Sequence, residues 1–195
     1  MPLGAFKAAL MGTAGVSTGD VVLLHDTDYS NAATASITSG IDSTYGEYIF
    51  RFYNINPATD GGALQFQVNV AGQSGYNETI TSTYFQSNHH EDDDPAELGY
   101  AGGGDQANGT AFQEIIAYIG NGADESGVGE LHLFNPASTT YVTQWISLCP
   151  SYGAADQALT SFGGGYFNGT GAIDDIQFKM ASGNFDGTIK MWGVK

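Results

Sequence analysis

An all-β fold, an antiparallel β-sandwich of jelly-roll type, is what this sequence predicts, and three observations carry the prediction. The first is a rhythm of two. Leu64, Phe66, Val68 and Val70 alternate with Gln65, Gln67 and Asn69, which sets the two groups on opposite faces of a pleated strand. The second is composition. The 195 residues include 28 glycines and only 13% charged side chains, whereas a helical bundle needs far more Glu, Lys, Leu and Arg. The third is spacing: about ten strand-like segments follow one another at short intervals, with turn residues between them. Nothing resembles an alternation of strands with helices.

Residues 1–19 differ from the rest and predict an N-terminal arm. Leu3, Phe6, Leu10 and Met11 fit one side of a helical turn. The glycine-rich run after them offers no partner, and so short a helix is not stable alone. The arm either frays or docks on a neighbouring subunit. Residues 20–195 then make a single sandwich domain, in keeping with the length.

A short strand is expected at 21–24 and a weak one at 34–38. Residues 41–71 predict a hairpin of two long strands. In the first, Tyr48, Phe50 and Phe52 share one face, and Ile49, Arg51, Tyr53 and Ile55 the other. The connection NINPATDGG is rich in turn chemistry: Pro57 presets its own φ, and Asp60-Gly61 suits a positive φ. A strand at 78–85 leads into a polar loop at 86–109, long enough to imply a function. Further strands are expected at 110–119, 130–134, 141–149, 159–162, 173–180 and 187–193. FRFYNINPATD and LHLFNPASTT echo each other about half a chain apart, as two Greek-key halves would, or as one turn solution used twice.

The net charge is −16, opposed only by Lys7, Arg51, Lys179, Lys190 and Lys195. So acidic a surface repels phosphate backbones, which excludes a nucleic-acid partner. It also opposes docking on an anionic membrane. The acidity serves either solubility or cation binding. Cys149 is the single cysteine, so no internal disulfide forms, and it reads as a small buried apolar residue. MPLGAFKAALMGTAG has no continuous apolar core, so the expectation is a chain without a signal peptide, folded in a cytoplasm.

Several constellations invite chemistry. His89, His90, Glu91 and Asp92 are metal-ligand types, but they lie in one acidic run with no second histidine motif near them. Asp26 and Asp28 resemble the opening of a calcium loop. The pattern then fails, because Asn31 stands where a turn glycine is needed and Ile37 where a glutamate is. These six are the candidate metal residues, with calcium the cation considered for the Asp26–Asp28 stretch; otherwise no cofactor is expected. Carboxylates for a glycosidase pair abound, and Glu114, on an otherwise apolar strand, is the least ordinary of them. No Gly-x-Ser-x-Gly or phosphate-cradling loop occurs, and the expectation is that the chain is not an enzyme.

Contact residues form the other set: Leu3, Phe6 and Leu10 on the arm, Ile49, Tyr53 and Ile55 on the second face of the long strand, and Tyr100 and Trp192 near loops. That second face is too apolar to sit in water. Another strand layer, the arm or a second subunit must cover it.

IDSTYGEYIFRFYNINPATDGGALQFQVN, LHLFNPASTTYV and YFNGTGAIDDIQFKMASGNFDGTIKMWG resemble a family of virion structural proteins of tailed phages, many of them marine. The resemblance covers residues 36–195. It implies a bacteriophage structural protein on the exterior of the particle: a capsid decoration protein, a head fibre or a tail-associated tail-fibre component. The expected partners are copies of itself (a homo-oligomer such as a trimer) and other virion proteins, with assembly in the host cytoplasm. The alternative is a lectin-like module that binds host surface glycans, assisted by calcium. No catalytic residues are implied.

Overall fold

A computed structural model describes residues 20–195; the arm at 1–19, with Leu3, Phe6 and Leu10, lies outside the described residues. The strands are β1 (Val21–Ala32), β2 (Ala35–Ile37), β3 (Glu47–Pro57), β4 (Gly62–Val70), β5 (Ile80–His90), β6 (Ala96–Tyr100), β7 (Ala107–Gly109), β8 (Gln113–Ile119), β9 (Gly127–Phe134), β10 (Gln144–Gly153), β11 (Gln157–Phe167), β12 (Ile173–Met180) and β13 (Phe185–Val194). Every pairing is antiparallel. The all-β expectation holds.

Two layers face each other. The large one runs β1-β13-β3-β9-β10-β11-β5-β6, with β7 also on β5; the small one runs β2-β12-β4-β8. They join through a single bridge, Gly153 of β10 to Ile119 of β8. Between them lies an aromatic core. Phe178 of β12 packs on Phe50 and Phe52 of β3 with ring centroids 5.6 and 5.2 Å apart. Phe66 of β4 meets Trp145 of β10 edge-on at 5.2 Å, a favoured geometry for the ring quadrupoles. The buried Tyr48 satisfies its polar end locally: its hydroxyl donates to the Asp42 carbonyl at 2.9 Å and accepts from the Asp42 amide at 2.8 Å.

Three expectations are corrected. The strands of 41–71 do not form a hairpin. β3 pairs with β13 and β9, and β4 with β12 and β8, so Pro57–Gly62 carries the chain from one layer to the other. The apolar faces of β3 and β4 meet across the core instead of lying side by side. The polar stretch 86–109 is not a loop. Residues 86–90 extend β5, and β6 and β7 fold back on it, because strands with a polar residue at most positions lack the alternation that signals a half-buried sheet. Finally, Ile55 is not a surface residue. Asn54 takes a left-handed φ of 49°, and the β3–β9 register shifts between Phe52 and Ile55. This bulge turns Ile55 into the core, where it is fully buried and unavailable as a contact.

The outer faces of the two layers differ. That of the small layer is covered by the chain's own segments. Gln67 is buried there and donates to the carbonyls of Glu78 at 2.9 Å and Ala111 at 3.1 Å, and Asn69 donates to Gln73 at 3.1 Å. Among the described residues no strand covers the outer face of the large layer.

Candidate functional site

Two features stand out: the uncovered face of the large layer and a cleft between the layers. The face is ordered by register. Asp26, Lys190, Arg51, Glu130, Leu148, Phe162, Phe85 and Tyr100 are successive cross-strand partners over eight strands. The row is charged on its first half and apolar on its second. On the charged half, Lys190 Nζ pairs with Asp26 at 2.9 Å, and Arg51 Nε with Glu130 at 3.4 Å. His132 lies between Glu47, at 2.5 Å from Nδ1, and Glu130, at 3.3 Å from Nε2. The Arg51 guanidinium lies 5.7 Å over the Trp192 ring. On the apolar half, Phe85 and Phe162 stack nearly parallel at 4.8 Å, and Ile146 and Leu148 are about half exposed. Leu98, on β6, is exposed on the same side.

The cleft, of about 510 Å³, opens where β5, β6 and β11 of the large layer stand over β8 and the Gly61–Ala63 turn of the small one. Small side chains make the room: Gly61, Ala63, Gly99, Ala101 and Ala117 line it, where larger residues would have closed the interior. Its polar groups are Gln86, Asn88, Glu97, Glu114 and Gln157, with Tyr100 and Tyr118 exposed at its rims. Asn88 Nδ2 donates to Gln157 Oε1 at 3.2 Å, and the Tyr100 hydroxyl donates to Asp105. Burial pushes the Glu114 carboxyl above its ordinary value of 4.5, and the neighbouring Tyr84 hydroxyl opposes that shift. The Tyr84 hydroxyl is fully buried and close enough to Glu114, Ser161 and Gln86 to feel them, yet no pair reaches full hydrogen-bond geometry. Gly104 lies flat on the Tyr84 ring, where a Cβ would stand 2.4 Å from it. Gln113 fixes that loop by donating to the Gly104 carbonyl at 2.7 Å and accepting from the Ser82 hydroxyl at 2.7 Å.

The structure brings Asp26 and Trp192 onto the outer face with Ile49 and Tyr53, and Tyr100 to the edge strand where that face meets the rim of the cleft. Asp26 and Asp28 lie on strand β1, not in a loop, and face Lys190 and Thr188, the latter donating to Asp28 at 2.6 Å. His89, at the far end of β5, contacts Asp93 at 3.0 Å; His90, Glu91 and Asp92 surround a small hollow beside Asp156. Among the described residues no three His, Cys, Asp or Glu side chains form a group that could hold a metal ion. Cys149 is fully buried, and burial pushes its thiol up to about 12, so it is inert as a nucleophile. Gln86, Asn88, Glu97, Tyr118 and Gln157 were not legible as a group, since each is an ordinary polar strand residue until the layers are assembled.

A stability consequence follows from Glu114. A carboxyl raised in the fold keeps its proton to higher pH than in the unfolded chain. Its favourable contribution is therefore complete below the unfolded value and lost as pH rises through the folded one. Glu114→Gln is expected to match the wild type at about pH 4 and to melt a few degrees higher (about 2–4 °C) at neutral pH. Thermal unfolding followed by circular dichroism at both pH values checks this; a variant that is less stable at neutral pH contradicts it.

No family model matches the chain, and no curated protein matches it. Among solved structures, one described as the crystal structure of A. japonicus CB05 is 12% identical, with a TM-score of 0.25; the match covers 100% of this chain and 29% of that one. The marine PL-14 alginate lyase from Aplysia kurodai is 11% identical with a TM-score of 0.20, covering 87% of this chain and 86% of that one. Likenesses this low carry no argument about fold or activity.

Proposed function

We propose that this protein is a non-catalytic structural protein that works by contact, with the apolar half of its outer sheet face meeting a second copy of the chain. The observation that carries this reading is the uncharged patch over β10, β11, β5 and β6. Ile146, Leu148, Pro150, Thr160, Phe162, Thr83, Phe85, Ser87 and Leu98 form it, with Tyr100 beside Phe85, and none of them carries a charge at neutral pH. In a chain of net charge −16, it is the place where two copies approach without like-charge repulsion. The small layer hides its outer face under its own segments, and the large layer leaves this one open, as a sheet does when another molecule completes it.

The setting is the one the sequence resemblance implies: the exterior of a tailed-phage particle, as a decoration, head-fibre or tail-associated protein, with other virion proteins as further partners. An all-β chain of 195 residues with a single, buried cysteine, large enough to build its core without an internal disulfide, is in keeping with that role. Size-exclusion chromatography with light scattering tests the contact. The wild type is expected to elute as an oligomer and Leu148→Glu as a monomer with an unchanged circular dichroism spectrum, since Leu148 is about half exposed and its replacement leaves the core intact. A wild type that stays monomeric at high concentration, or an oligomer indifferent to Leu148→Glu, contradicts the reading.

A further inference from the structure

We propose that the cleft between β5, β6, β11 and β8 is a binding site for a neutral saccharide. Its polar lining is separate from the contact face, since Gln86 and Asn88 point to the opposite side of β5 from Phe85 and Ser87; only Tyr100, the cross-strand partner of Phe85, borders both. Four features select the ligand class. No Lys or Arg lines the cleft, while Glu97 and Glu114 do, so phosphates, sulfates and uronates are repelled. The amides of Gln86, Asn88 and Gln157 each offer donors and an acceptor, the combination that a hydroxyl, itself donor and acceptor, requires. Tyr118 stands exposed at the rim and can receive the apolar face of a sugar ring while its hydroxyl stays in water; Tyr100, held by its bond to Asp105, closes the opposite rim. The volume of about 510 Å³ lies within the range of small-molecule sites.

The floor supports this assignment. Small residues hold the space open, and Glu114, half-buried on β8, stands among them. A site made only by loose packing would be lined by apolar atoms.

The test uses the full chain in isothermal titration calorimetry and saturation-transfer-difference NMR. The probes are neutral gluco-, manno-, galacto- and xylo-oligosaccharides, an oligouronate and spermidine. At least one neutral oligosaccharide is expected to bind. Tyr118→Ala and Gln86→Ala should each weaken it by about ten-fold or more without lowering the melting temperature, because both side chains reach solvent. Tyr141→Ala, at a more exposed tyrosine away from the cleft, should leave affinity unchanged. Absence of binding by every neutral sugar, binding by the oligouronate or spermidine alone, or retention of affinity within about two-fold in both cleft variants overturns the proposal. These outcomes do not depend on oligomeric state, so the cleft and the contact face fail separately.

Discussion

Replacing Phe178 by alanine is expected to cost about 3–5 kcal/mol of stability, the range for truncating a buried phenylalanine. Phe178 is fully buried and touches both layers. Its ring meets Phe50 and Phe52 of β3 across the core and Phe66 of β4 beside it, at 5.6, 5.2 and 6.5 Å. Those neighbours are held by strands paired on both sides, so they cannot collapse into the space left behind. For a chain of this length the loss amounts to roughly 10 °C or more in melting temperature. Phe178→Leu, which keeps most of the volume, should lose much less. A Phe178→Ala variant melting within about 2 °C of the wild type would mean that the two layers are not packed through this ring.

The second large effect is expected at Gly129, where alanine should cost about 3–5 kcal/mol through backbone strain and overpacking together. Its φ is +145°, a conformation that side-chain-bearing residues rarely adopt. A Cβ there would stand 2.6 Å from both the Cα of Cys149 and the carbonyl oxygen of Leu148. Both obstacles are backbone of β10, so no rotamer change relieves them. The variant must push β9 from β10 or rearrange the bulge opposite, and either shift reaches the outer face at Glu130 and Leu148, which are cross-strand partners. Thermal and denaturant unfolding measure the loss; an alanine variant as stable as the wild type would place β9 and β10 farther apart than described.

Which parts of this molecule could be read from sequence follows from what alternation encodes. It encodes faces. Leu64, Phe66 and Val68 and Tyr48, Phe50 and Phe52 all point into the core as their rhythm requires, and Ile176, Phe178 and Met180 do likewise. It does not encode neighbours. The turn chemistry of Pro57, Asp60 and Gly61 serves equally for a hairpin and for a crossing between layers, and the crossing is what occurs. Nor does it encode bulges. Asn54 adopts its left-handed φ without a glycine to signal it, so the parity of the strand breaks and Ile55 turns inward. The cleft was half legible. Glu114 stood out as a carboxylate on an apolar strand, and Tyr100 as an aromatic in polar surroundings. Gln86, Asn88 and Gln157 join them only through the β5–β11 register, a long-range pairing with no local trace.

The central claim is that the uncharged half of the large layer's outer face is a contact surface. Hydroxyl-radical footprinting with mass spectrometry tests it residue by residue, comparing wild type with Leu148→Glu at equal concentration. The account predicts that Phe85, Leu98, Ile146 and Phe162 are oxidised more slowly in the wild type, while Tyr118 and Tyr141, which lie off that face, are oxidised alike in both. Equal oxidation of Phe85 and Phe162 in the two proteins would contradict it.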